Sequence, residues 1–255
     1  MRITVLGSSG GYPAPRMACS GFLFEGVSTR IWIDTGSGTL ARLLGSTSLS
    51  DLDAVLCSHL HPDHWTDLPL AIHALRIGAA ERATALPVYG PHGWVEAMGI
   101  TVQWALDEPE PVFVPREIRE GQALELDGLG VEPIRMTHSD VETFGFRVTE
   151  GKSIVAYSAD SGPCEALVVL AAGADLFICE AGAPGSHESP LHLNARQAGE
   201  IAARAGCRRL MLTHLRPGDD PVRAVAEASA IFGGGVEVAL EGTMHIVGSP
   251  PDLTQ

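Results

Sequence analysis

Apolar residues in the first sixty positions fall in short runs that end on glycine, serine or aspartate, a pattern of strands bounded by turns. These runs predict strands over Arg2–Leu6, Gly21–Glu25, Arg30–Asp34 and Ala54–Ser58. The period then changes: Leu68, Ala71, Ile72 and Leu75 recur at three- and four-residue spacing and predict a helix over Asp67–Ala80. Strand patterns return at Pro87–Tyr89, Val131–Met136, Thr143–Val148 and Ser153–Ser158. Between them, Asp107–Pro115 carries Pro109, Pro111 and Pro115 and reads as an internal loop. It is a poor domain linker, because strand patterns resume soon after it.

The last third of the chain alternates. Helix Cys164–Ala172 precedes strand Asp175–Cys179, helix Ala195–Ala205 precedes strand Arg209–Thr213, and helix Pro221–Phe232 precedes strand Val236–Ala239. The middle helix has the clearest start and stop: Asn194 as N-cap, Gln197 three residues on as in a capping box, and Gly206 past its end. The whole pattern is expected to form one domain over residues 1–255, of mixed α/β class.

Composition narrows the function. With 45% hydrophobic and 19% charged residues the chain can bury a sizeable core. A net charge of −14 leaves no general basic footprint, so a large nucleic-acid partner is disfavoured. No run of 18 apolar residues is present and the N-terminus lacks a signal-peptide pattern, so a cytoplasmic protein with no membrane partner is expected. Cys19, Cys57, Cys164, Cys179 and Cys207 are scattered without a C-x-x-C pair and read as small core residues.

The segment Ser58-His59-Leu60-His61-Pro62-Asp63-His64 carries the chemistry. Three histidines and an aspartate at these offsets arise by chance in roughly one such chain per thousand. At a strand end, several imidazoles and a carboxylate can point into one cavity, and Pro62 stops the ladder and forces a turn. Neutral imidazole with carboxylate suits zinc, iron or manganese, and the lack of thiolate favours a catalytic over a closed structural site. Three later strand ends offer further donors: His138 after Met136-Thr137, Asp160 after Tyr157-Ser158-Ala159, and His214 after Leu212-Thr213. Each alone is weak. Gly7-Ser8-Ser9-Gly10-Gly11 lacks the Gly-Lys-Ser/Thr ending of a phosphate loop and reads as a turn, Trp65 and Trp104 as core or base-stacking residues, and His73 as structural.

In this order, the motifs resemble the metallo-β-lactamase superfamily along almost the whole chain. The resemblance implies a four-layer αββα sandwich and two divalent metal ions, with water activated between them. It makes Asp34 a buried brace of the metal loop, His59, His61 and His138 ligands of one ion, Asp63, His64 and His214 ligands of the other, and Asp160 the bridge. Thr137-His138-Ser139, Cys179-Glu180-Ala181 and His192 are similar to the ribonuclease Z branch and its small phosphodiesterase relatives, where His192, oriented by Glu180, would assist the leaving oxygen. Only 22 positions separate His138 from Asp160, so the arm that grips transfer RNA in the ribonuclease branch is missing, and Asp67 stands where those enzymes usually have glycine. The expected substrate is therefore a small phosphodiester such as a cyclic nucleotide. A transfer-RNA 3′-processing endonuclease and an acyl or lactone hydrolase are the alternatives, a metal-binding module without activity is a third, and a homodimer is implied only by analogy.

Overall fold

The computed structural model describes residues 1–78, 81–107, 109–185 and 187–248. The early apolar runs pair into one sheet: β1 (Arg2–Gly7), β2 (Gly21–Glu25), β3 (Arg30–Ile33), β4 (Ala54–Leu56), β5 (Leu86–Gly90) and β6 (Phe113–Glu117), closed on its far edge by β14 (Met244–Ile246). Its order is β14-β1-β2-β3-β4-β5-β6. The second sheet holds β7 (Leu124–Leu126), β8 (Leu129–Arg135), β9 (Phe144–Glu150), β10 (Ser153–Tyr157), β11 (Leu176–Glu180), β12 (Arg209–Thr213) and β13 (Gly235–Val238), in the order β13-β12-β11-β10-β9-β8-β7. In each sheet antiparallel hairpins give way to a parallel half, β3 to β6 in one and β10 to β13 in the other.

Three apolar layers follow from strand alternation, since successive side chains point to opposite faces. Ile3, Phe22, Phe24, Ile31 and Ile33 from the first sheet meet Phe144, Phe146, Val148, Val155 and Ile178 from the second in a central core. The outer face of the first sheet, with Leu23, Trp32 and Val55, is covered by α1 (Thr39–Leu44), α2 (Leu68–Arg76) and α3 (Trp94–Leu106). The outer face of the second, with Ala156, Phe177 and Leu210, is covered by α4 (Glu165–Ala171), α5 (Ala195–Ala205) and α6 (Pro221–Phe232). The result is the expected four-layer αββα sandwich.

The expected helices and strands are present with shifted ends. Helix α2 stops at Arg76, and Ala79 and Ala80 lie outside the described residues. Helix α5 has the predicted capping box, with Asn194 and Gln197 each accepting from the other's main chain, and Gly206 takes the left-handed conformation at its end. One expectation is corrected. The tail of the Asp107–Pro115 loop is part of β6, an edge strand that tolerates Pro115 because one of its sides has no ladder partner. His73 is exposed on α2, with its ring edge-on against Trp104 on α3. Helix α3 was not expected at all: Gly99 and the β-branched Ile100-Thr101-Val102 mask its period, and Val102 leaves helical geometry. Trp65 packs edge-on against the buried Trp94 and donates its indole N–H to the Leu60 carbonyl, a core role. Four of the five cysteines are buried and all five are free. Among the described residues no helix is long and apolar enough to cross a membrane.

Candidate metal centre

The site lies where strands of both sheets end. Asp34 follows β3, Ser58 and His59 follow β4, His138 follows β8, Asp160 follows β10, Glu180 ends β11 and His214 follows β12. In open α/β sheets this carboxyl edge is where loops diverge and leave a crevice. Four non-glycine residues there hold positive φ: Asp34 (54°), Ser139 (40°), Ala159 (51°) and His214 (59°). Ser139, Ala159 and His214 turn the chain sharply just at, before or after a candidate ligand and Asp34 does so at the brace behind them, and such backbone strain persists only where the surroundings enforce it.

The donors fall into two groups, His59, His61, His138 and Asp160 in one, and Asp63, His64, Asp160 and His214 in the other, with the ligand atoms of each group within 4.8 Å of one another. All seven expected ligands are thus brought together, and Asp160 faces both groups. Its Oδ2 lies 3.8 Å from His59 Nε2 and 3.7 Å from His138 Nε2, and its Oδ1 lies 3.3 Å from both His64 Nε2 and His214 Nε2.

Hydrogen bonds behind the site fix which ring nitrogens face it. The buried Asp34 carboxylate accepts four bonds: from Ser58 N–H (2.8 Å), Ser58 Oγ–H (2.9 Å), Tyr157 O–H (2.7 Å) and His64 Nδ1–H (2.7 Å). A carboxylate only accepts, so His64 carries its proton on Nδ1 and presents Nε2 inward. Because the Ser58 hydroxyl proton is given to Asp34, its oxygen takes the Nδ1 proton of His59 (3.0 Å). His138 donates Nδ1–H to the Leu191 carbonyl (2.8 Å), which leaves its Nε2 as an acceptor 3.1 Å from His61 Nδ1. Asp63 is held by the Gly11 N–H (2.9 Å), so the glycine-rich turn after β1 braces a candidate ligand.

Electrostatics agree with a site built for cations. Burial opposes ionisation of Asp160, yet His214, His64 and His59 hold its carboxyl well below the usual range. Asp63 is held low in the same way, against burial, by its hydrogen bond from His214 and the charges of His64 and His214. Burial would discharge His64, but Asp160 and Asp34 push its pKa well above the ordinary imidazole value. His59 moves the other way, lowered by burial and by His64. The His59 Nε2, His64 Nε2 and Asp160 Oδ1 atoms are buried without a hydrogen-bond partner. Buried lone pairs converging on one space in this way are costly unless a cation satisfies them, so the donor set fits two metal ions.

Glu180 and His192 stand beside these groups. Glu180 is buried and accepts from Ser161 N–H (2.8 Å), Gly182 N–H (2.8 Å) and His192 Nδ1–H (3.0 Å). Burial works against charging His192, but the bond to Glu180 raises its pKa above the ordinary value. Its ring stacks on His214 at 5.6 Å and meets His138 edge-on at 5.0 Å, so it borders the candidate centre.

Chemical patterning did not point to Ser58, Tyr157 or Asp67 as supports. Asp67 Oδ2 accepts from Gly38 N–H (2.9 Å) and Leu40 N–H (2.8 Å) at the start of α1, and its own N–H donates to Thr35 O (2.9 Å). It therefore ties the end of the histidine loop to the segment after β3. Gly36 is needed in that segment because a β-carbon there would collide with the Asp63 carbonyl oxygen.

A profile described as the β-lactamase superfamily domain matches residues 29–215, a span that contains every one of the candidate ligands. The chain belongs to the metallo-β-lactamase superfamily. It is 35% identical over 248 residues to the uncharacterized protein Rv1339 of Mycobacterium tuberculosis, covering 94% of this chain and 90% of that one. It is 31% identical over 246 residues to the probable metallo-hydrolase YhfI of Bacillus subtilis, covering 95% and 98%. The crystal structure of YhfI superimposes with a TM-score of 0.86 over 96% of this chain and 98% of that one. Ribonuclease Z of Mycobacterium bovis is 29% identical over 267 residues, covering 93% and 95%.

Proposed function

We propose that this metallo-hydrolase cleaves small phosphodiesters, such as cyclic nucleotides, at a dinuclear centre. His59, His61 and His138 would hold one divalent ion, Asp63, His64 and His214 the other, and Asp160 both, with zinc the first candidate and manganese or iron the others. When bound, the two ions would activate a water and neutralise charge growing on a phosphoryl oxygen. Asp34 sets the His64 tautomer, and through Ser58 that of His59, so that both Nε2 atoms remain available. Asp63, tied back by Gly11, lies on the side of the site where His214 sits and positions the attacking group. His192 carries the proton. With Nδ1–H given to Glu180 and a raised pKa, its Nε2–H is placed to protonate the departing oxygen.

The observation that carries the choice of substrate is the short path from His138 to Asp160. It is filled by the Ser139–Thr143 loop and the β9–β10 hairpin, whose strands are joined through Gly151-Lys152. No arm extends from this stretch, and a polyanion as large as transfer RNA must be gripped far from the scissile bond. The net charge of −14 points the same way. The likeness to ribonuclease Z supports the alternative of transfer-RNA 3′ processing, and the same kind of centre can attack a carbonyl carbon. A parallel assay with 2′,3′- and 3′,5′-cyclic nucleotides, a bis-aryl phosphodiester, a lactone panel and a precursor transfer RNA tests the choice. The highest kcat/KM is expected on a small phosphodiester. Higher kcat/KM on the precursor or on a lactone would replace this reading.

A further inference from the structure

A second cavity, of about 400 Å³, lies next to the metal centre and is absorbed by none of the chemistry above. Its size is that of a small-molecule pocket. Met17, Leu215, Pro221, Val238, Ala239 and Leu240 give it apolar walls, and Ser8, Arg16, Thr213, Arg216, Asp219 and Glu241 line the rest.

The segment Ser8–Gly11 stands between cavity and centre. Ser8 O accepts the His214 N–H (2.9 Å) and Gly10 N–H donates to Leu215 O (3.0 Å), while Gly11 N–H reaches Asp63. Ser8 lines the cavity, whereas Gly10 and Gly11 contact His214 and Asp63.

Three features mark the cavity as built to bind. Thr213, one of the residues lining the cavity, is 1% exposed, and its buried hydroxyl has no hydrogen-bond partner among the described residues, an arrangement that costs stability unless something else satisfies it. Neither the Arg16 nor the Arg216 guanidinium has a partner among the described residues, although the chain is strongly acidic. The two carboxylates nearby are already engaged: Glu241 pairs with Arg42 and accepts from Ala18 N–H, and Asp219 accepts from Arg216 N–H (3.0 Å). Two free guanidiniums at the rim match the oxygens of a phosphate, a buried hydroxyl offers one directional bond, and the apolar walls suit a flat ring.

We propose that this cavity is a second ligand site that takes a nucleoside monophosphate or a ring-bearing organic phosphate of that size. The phosphate lies against Arg16 and Arg216, and the ring lies among Leu215, Val238 and Leu240 with Thr213 as its polar contact. The site is separate from the metal centre and independent of the reaction assigned to it.

The test is a calorimetric titration of adenosine 5′-monophosphate into chelator-stripped protein whose fold is verified by circular dichroism, because a ligand held only by the metals cannot bind there. Saturable binding is expected in the stripped protein. It should weaken at least tenfold in the Arg16→Gln, Arg216→Gln double variant, whose exposed positions tolerate the change. Thr213→Val should lower affinity severalfold while leaving the Tm of the ligand-free protein unchanged or raised, since it removes an unpaired buried hydroxyl. Hydrogen exchange in the presence of the nucleotide should slow in 213–219 and 238–241. Absence of binding in the stripped protein, affinity unchanged in the double variant, or protection confined to 59–64 would each overturn the proposal. Loss of phosphodiester hydrolysis alone would bear only on the metal centre.

Discussion

Replacing Asp34 by Asn tests whether the chain builds its metal centre from behind. Asp34 Oδ2 accepts from Ser58 Oγ, Tyr157 and His64, and Oδ1 accepts from Ser58 N–H. An asparagine keeps one oxygen. With that oxygen at the Oδ2 position, three bonds survive, but the amide NH2 then faces the Ser58 N–H and two buried donors are left in opposition. The other rotamer sets NH2 against three donors and is worse. The lost bond costs about 1–3 kcal/mol, and weakening the three charge-assisted bonds adds about 1 kcal/mol, so about 2–4 kcal/mol of stability should go. For a chain of this size that corresponds to a fall in Tm of roughly 5–12 °C. With the proton on His64 Nδ1 less firmly fixed, metal affinity should fall by about 10- to 100-fold. Tyr157→Phe removes one donor only and should show a smaller loss, on the order of 1 kcal/mol. Thermal unfolding and chelator competition read both quantities. A Tm within about 1 °C of the parent with unchanged metal affinity would refute the bracing role.

The other predictions follow from the same geometry. Asp160→Ala should remove metal from both groups, whereas His192→Ala should keep metal and lower turnover by about 10²- to 10⁴-fold; metal content measured beside kcat separates the two, and unchanged turnover in His192→Ala would return His192 to a bystander role. Glu180→Gln should shift the alkaline limb of the pH–rate profile downward. The folded pKa of His192 is raised by Glu180, so the protonated form persists to higher pH with the carboxylate than without it; an unmoved limb would assign that limb to another group. Gly36→Ala should disturb the Asp63 main chain and cut activity more than Gly99→Ala, which meets open space on α3, and equal activities would contradict that constraint.

Much of the site was legible because each candidate ligand sits in a local signal, an apolar run followed by His or Asp at a strand end. Asp34 and Glu180 were found through the superfamily resemblance, and His192 through that resemblance together with its place before the N-cap of α5. The bracing partners were not legible, for a physical reason. Tyr157 reaches Asp34 across 123 positions, a pairing that arises only when the two sheets stack, and Ser58 reaches it across 24, through the parallel pairing of β3 with β4. The left-handed turns at Asp34, Ala159 and His214 break the usual preference for glycine and leave no compositional trace. In the fold, the strongly periodic α5 was read almost to the residue. Helix α3 was hidden by β-branched residues, β6 by Pro115, and the short β14 by its distance from β1 in the chain.

The most direct test of the central claim is a metal titration of stripped protein, followed by hydrolysis of a bis-aryl phosphodiester. Two buried donor groups sharing Asp160 predict no turnover in the stripped protein and a plateau near two metal ions per chain. A plateau at one ion, or hydrolysis that persists without metal, would contradict the dinuclear account.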